Sequence, residues 1–112
     1  MPSRPTLAGQ TDVDQFYLES FVAQKPDDAF SRYGLAMECM NTGDTAAAEV
    51  NFRELLRRNA EYVPAYLMFA QMLVKESRAE DARKILNQGV SAASKAGNAH
   101  ALSELESLLS EL

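Results

Sequence analysis

Apolar residues recur along most of this 112-residue chain at the three-and-four spacing of helices that bury one side. Ala48, Phe52 and Leu55 fall at i, i+4 and i+7, with Leu56 beside them. Leu102, Leu105, Leu109 and Leu112 form a 3–4–3 stripe among Ser103, Glu104, Glu106, Ser107, Ser110 and Glu111. Val13, Phe16, Tyr17, Leu18, Phe21 and Val22 lie on a broader apolar arc.

Caps and breakers divide this pattern into six helices. Asp12, with Gln15 three residues on, predicts a capping box for a first helix from about Val13 to Gln24, and Pro26 ends it. Asp27 or Asp28 caps a second helix reaching about Asn41, which Gly43 terminates in the left-handed conformation. Asp44 or Thr45 caps a third, whose end carries Arg53, Arg57 and Arg58, positive charge that suits the helix dipole. Pro64 belongs in the first turn of a fourth helix that runs to about Glu76. Ser77 with Glu80 reads as the clearest capping box and starts the fifth. Gly97 and Asn98 close that segment before a last helix. Glu49–Arg53, Glu54–Arg58 and Glu80–Lys84 are i,i+4 pairs worth about 0.2–0.5 kcal/mol each, the pattern of solvated faces. Residues 1–10 hold two prolines, one glycine and no periodicity, which predicts a disordered arm.

The pattern also repeats. Shifted by thirty-four residues, Asp27–Ala60 falls on Glu61–Ser94. Tyr33 meets Leu67, Leu35 meets Phe69, Ala36 meets Ala70 and Cys39 meets Leu73. Ala48 then meets Ala82, Phe52 meets Leu86 and Leu56 meets Val90. A period of this length predicts stacked helical hairpins, each too small to bury its own apolar face.

These residues resemble the tetratricopeptide repeat. Leu35–Ala36 and Phe69–Ala70 match its large–small pair, Ala48 and Ala82 its alanine, and Phe52 and Leu86 the large residue one turn later. Tyr66 matches the bulky aromatic of the first turn, and Pro26 stands where the proline of a preceding unit would fall. Small residues let two antiparallel helices approach, while larger ones fill the space between hairpins. The chain departs from the pattern at Arg32, where an aromatic is usual, and at Ala60, where proline is. It also departs at Leu55 and Gly89, where alanine is usual, and at Asp14, the alanine position of an earlier half-unit. Glycine inside a helix costs roughly 0.8–1.0 kcal/mol against alanine, so Gly89 predicts tight packing against the last helix.

The fold implied by the resemblance is all-α, a short right-handed superhelical stack of antiparallel helix hairpins forming a single domain over residues 11–112. It comprises an N-terminal capping helix (11–25), repeat 1 (27–60), repeat 2 (61–96) and a C-terminal capping helix (98–112). The flanking helices bring two units up to the equivalent of three hairpins, about the number such arrays need. A small, free-standing protein of bacterial type is the style it resembles.

Family members line a concave groove with the first helix of each unit. Carried across, that groove is Phe30, Tyr33, Met37, Met40 and Asn41, then Pro64, Leu67, Gln71, Val74 and Lys75. The set is apolar, and its methionines can repack around varied ligands. The resemblance therefore implies an adaptor or scaffold that binds a peptide or helix of a partner protein. Two other readings stay open: a homodimer through the same patch, or cover from the first helix with Phe16, Tyr17 and Phe21. The carboxylate clamp of some relatives is not expected, because Tyr33, Met37 and Met68 hold its charged and amide positions. The resemblance also turns Cys39 inward, as a buried thiol.

Charge and candidate chemistry narrow the picture further. Sixteen acids against eleven bases give a net charge of −5, which disfavours a nucleic-acid phosphate backbone. No run of about eighteen apolar residues predicts a membrane span, and Met1–Gln10 lacks the apolar segment of a secretory signal. One cysteine forms no internal disulfide, so a reducing, cytoplasmic setting is expected. His100 reads as a surface or cap histidine. With no cysteine pair, Gly-rich phosphate loop or His–acid motif, neither metal nor nucleotide cofactor is expected, nor an enzyme.

Overall fold

A computed structural model describes the backbone of residues 6–112 and the side chains of residues 15–112. It contains α1 (Thr6–Gln24), α2 (Ala29–Asn41), α3 (Thr45–Arg58), α4 (Val63–Lys75), α5 (Ala79–Ala96) and α6 (Ala99–Ser110). No strand occurs among the described residues. From α2 onward the helices begin and end within two residues of the bounds that caps and breakers predict.

Two caps behave as their residue types dictate. Asp44 Oδ1 accepts from the Ala47 amide at 3.2 Å to open α3, and Asn98 Oδ1 accepts from the Ala101 amide at 3.0 Å to open α6. Each satisfies an amide that a helix start leaves without an intrahelical partner. Pro64 occupies the first turn of α4.

Three expectations need correction. First, α1 begins at Thr6, so residues 6–10 of the expected arm are helical, while residues 1–5 lie outside the described residues. Second, Asp12 is inside α1 and cannot cap it; the Gln15 amide donates forward to Glu19 at 3.3 Å. Third, Ser77 does not cap α5. It has φ 62° and closes α4, leaving Arg78 as the residue before α5. Arg78 then ties the first turn of α5 by donating from Nε and Nη2 to Asp81 Oδ2 at 3.0 and 2.9 Å.

The third correction exposes a shared device. After α2, the amides of Gly43 and Asp44 donate back to the carbonyls of Met40 and Cys39. After α4, those of Ser77 and Arg78 donate to Val74 and Leu73, and after α5 those of Gly97 and Asn98 donate to Ser94 and Ala93. This paired 5→2 and 6→1 closure needs one left-handed residue. Gly43 supplies it at φ 87° and Gly97 at φ 67°. Ser77 supplies it without glycine's freedom.

By contacts the chain divides into two compact units, Met1–Glu54 and Leu55–Leu112. In the first, α1 packs along α2. Leu18 Cδ2 lies 3.8 Å from where a Cβ on Gly34 would stand, and Val22 is buried. Leu35, Ala36, Cys39, Ala48 and Phe52 are the other buried apolar residues among the described side chains of this unit.

In the second unit α4, α5 and α6 pack on one another. Phe69, Ala70, Leu73, Ala82 and Leu86 are buried, and these are the positions thirty-four residues after the buried set of the first unit. The repeat is thus a repeat of buried positions. Leu105 is the fully buried anchor of α6, and burying a leucine is worth about 1.5–3 kcal/mol. Gly89 lets the helices close up: a Cβ there would stand 2.7 Å from Tyr66 Cβ and 3.1 Å from Leu105 Cδ2. The tight packing expected at Gly89 therefore involves α4 even more than α6.

Candidate functional site

Helical spacing puts Phe30, Tyr33, Met37, Met40 and Asn41 on one stripe of α2, at i, i+3, i+7, i+10 and i+11. Leu35, Ala36 and Cys39 turn the other way and are buried. None of the stripe residues is buried: Phe30 is 74% exposed, Asn41 is exposed, and Tyr33, Met37 and Met40 are half-buried. The same spacing on α4 gives Pro64, Leu67, Gln71, Val74 and Lys75. Pro64, Gln71 and Lys75 are exposed, Leu67 and Val74 half-buried, while Phe69, Ala70 and Leu73 fill the interior. The structure thus brings the expected residues together as two stripes, one in each compact unit.

The α1 aromatics behave differently from the arc expected of a capping helix. Phe16 is 70% exposed, Tyr17 71% and Phe21 49%. One turn of helix advances about 100° per residue, so Leu18 and Val22 share a face about 40° wide. Tyr17 is about 100° from Leu18 and Phe16 about 160°. An arc that wide cannot all turn inward, and that width was the sequence signal for exposure. Lys25 Nζ stands 5.9 Å above the Phe21 ring, a cation–π contact worth about 0.5–1 kcal/mol at an exposed site.

Comparison with known proteins decides the family. The tetratricopeptide repeat family model matches residues 40–105, from the last turn of α2 to Leu105 in α6. The chain belongs to the tetratricopeptide repeat family. Two solved structures of a tetratricopeptide repeat domain protein from Salinibacter ruber are similar to it, each at 30% identity. The crystal structure gives a TM-score of 0.70 over 75% of this chain and 93% of that one. The solution NMR structure gives 0.73 over 77% and 87%. The comparison with curated proteins gives no match. The fold is accordingly an all-α helical repeat stack.

Tetratricopeptide repeats are generally a non-catalytic protein-interaction fold, and the side chains of this repeat protein suit that role. Tyr33, Met37 and Met68 offer no positive charge to a terminal carboxylate. Cys39 is fully buried; burial, and then the charges of Asp44, Glu19 and Glu38, push its thiol up to about 11 from an ordinary value near 9. A thiol so protonated is a poor nucleophile near neutrality. His100 lies in the first turn of α6, exposed, with Nε2 3.5 Å from Glu104 Oε1 one turn on. That acid is the neighbour sequence reasoning did not assign to it. Among the described residues no helix is long and apolar enough to cross a membrane.

Proposed function

We propose that this protein is a small adaptor that binds an apolar segment of a partner protein through the unburied stripes of its repeat helices. The observation that carries the reading is the α2 stripe. Phe30, Met37 and Met40 keep apolar surface in contact with solvent, although the same helix buries Leu35, Ala36 and Cys39 in full. Exposed apolar surface concentrated on one helix face marks an interaction site more often than scattered single residues do. Methionine supplies flexible, polarisable contact that fits differing side chains. Tyr33 contributes further area on α2. On α4, Leu67 and Val74 offer the corresponding apolar positions, and Gln71 and Lys75 a polar rim. Burial of apolar residues on a stripe by a helix or extended segment supplies the affinity, with Asn41 the polar contact beside the α2 stripe and Gln71 and Lys75 those beside the α4 stripe.

The test is affinity capture by the wild-type chain and by Tyr33→Glu with Leu67→Glu. Loss of captured partners with helicity retained by circular dichroism supports the reading. An unchanged capture profile overturns it.

Self-association is a second reading, favoured by the exposure of Phe16, Tyr17 and Phe21 on α1. Light scattering over a dilution series separates the two, since a monomer at high concentration removes the homodimer.

A further inference from the structure

Charge divides the two units unevenly. Residues 1–54 carry nine of the sixteen acids and four of the eleven bases, and residues 55–112 carry seven of each. The whole net charge of −5 therefore belongs to the first unit, and the second is formally neutral. The described bases of the first unit are engaged locally. Lys25 stands over Phe21, Arg32 Nη2 donates to the Pro26 carbonyl at 3.2 Å, and Arg53 pairs with Glu49 at 2.8 Å.

The stripe with the most exposed apolar residue, Phe30 at 74%, lies in this acidic unit. Three carboxylates lie on or beside α2: Glu38 within it, Asp44 in the turn that follows it, and Glu19 of α1, the residue after the Leu18 that packs against Gly34. Glu38 follows Met37 by one residue, about 100° round the helix on the side of Asn41.

We propose that the α2 stripe docks a basic amphipathic segment of a partner protein, with apolar anchors on Phe30, Met37 and Met40 and Lys or Arg side chains facing Glu19, Glu38 and Asp44. This rests on the interaction reading above and narrows its partner. Opposite charges speed encounter and discriminate against wrong partners. A second copy seated on the same stripe would oppose two units of the same strong sign, and a nucleic acid would be repelled likewise. The methionines tolerate variation in the anchors, so charge carries much of the selection.

Three fluorescein-labelled eighteen-residue peptides test this by anisotropy with the full chain. They share leucine at i, i+3, i+4 and i+7 and differ only in their polar positions, which are Lys, Gln or Glu. At low salt the Lys peptide is expected to bind about tenfold tighter than the Gln peptide, the Glu peptide weakest, with the gap closing as salt rises. Met37→Gln with Met40→Gln should weaken both the Lys and the Gln peptides by about tenfold. Glu19→Gln with Glu38→Gln should narrow only the preference for Lys. These half-buried or exposed positions keep the fold intact, as circular dichroism would check. If the Gln peptide binds as tightly as the Lys peptide, docking on α2 stands and the basic partner falls. If the Lys peptide is indifferent to the methionine double variant, the attraction is unspecific and the proposal falls. If no peptide binds, the adaptor reading falls with it.

Discussion

Gly89→Ala sets two elementary effects against each other at one atom. Helix propensity alone favours alanine by roughly 0.8–1.0 kcal/mol, because glycine loses more backbone entropy in a helix. The added Cβ, however, would stand 2.7 Å from Tyr66 Cβ, 3.0 Å from Tyr66 Cγ and 3.1 Å from Leu105 Cδ2. Leu105 Cδ2 is the end of a flexible side chain and can turn aside. Tyr66 Cβ is fixed to the α4 backbone, so relief needs α4 and α5 to separate. Moving Tyr66 would also strain the 2.6 Å bond from its hydroxyl to the Ala60 carbonyl. Overpacking of this kind costs typically about 1–3 kcal/mol, which exceeds the propensity gain over most of that range. We expect a net loss of about 1–2 kcal/mol, or several degrees in Tm for a domain of this size. Urea unfolding followed by circular dichroism measures it, with Gln88→Ala on the exposed side of α5 as the control for propensity. Equal or greater stability in Gly89→Ala would refute the close approach of α4 and α5.

Other substitutions probe separate links in the structure. Ser77→Gly should raise stability by about 0.5–1 kcal/mol, because glycine adopts the φ 62° of that turn without the steric penalty of a side chain; a lower Tm would contradict the left-handed assignment. Tyr66→Phe should cost about 0.5–1.5 kcal/mol through loss of the hydroxyl bond to Ala60, measured by the same unfolding curves. Cys39 stays protonated in the folded chain up to about pH 11 while the unfolded thiol ionises near 9. Its contribution is therefore intact below pH 9 and is lost as pH rises towards 11, at about 1.4 kcal/mol per unit. Unfolding curves of the wild type and Cys39→Ala across that window should converge, and parallel curves would contradict burial of the thiol. For the same reason a disulfide reagent at pH 8 should label Cys39 only after denaturant is added.

The helices from α2 onward were legible because their boundaries are set by local chemistry. Pro26, Gly43, Asp44, Pro64, Gly97 and Asn98 each favour one backbone state over the rest. The start of α1 was not legible, since an aspartate three residues before a glutamine looks the same inside a helix as at its head. Nothing in Thr6–Gln10 forbids a helix; Gly9 only weakens one. Ser77 was misread for a related reason: Ser-x-x-Glu is the pattern of a capping box, yet the serine was needed one position earlier, to close α4. The signal that settles it was present, because Ser77 lies thirty-four residues after Gly43. A left-handed turn in one unit predicts a left-handed turn at the same register of the next.

The same register separates what packing fixes from what binding is free to set. Leu35 and Phe69, Ala36 and Ala70, and Phe52 and Leu86 are buried pairs, held to apolar types of compatible size by the packing they make. The unburied stripes, offset by the same thirty-four residues, keep an apolar likeness at Tyr33–Leu67 and Met40–Val74 and lose it at the other three positions. Phe30 stands against Pro64, Met37 against Gln71 and Asn41 against Lys75. The first stripe is greasier and sits in the acidic unit, while the second is more polar and carries a positive charge in a neutral one. Two surfaces with the same backbone and different chemistry suit segments of different character. An apolar, basic stretch suits α2, and a segment with a hydrogen-bonding or acidic residue suits Gln71 and Lys75 on α4. Leu67→Gln should then leave the α2 affinity for the Lys peptide unchanged, whereas Met37→Gln with Met40→Gln should lower it.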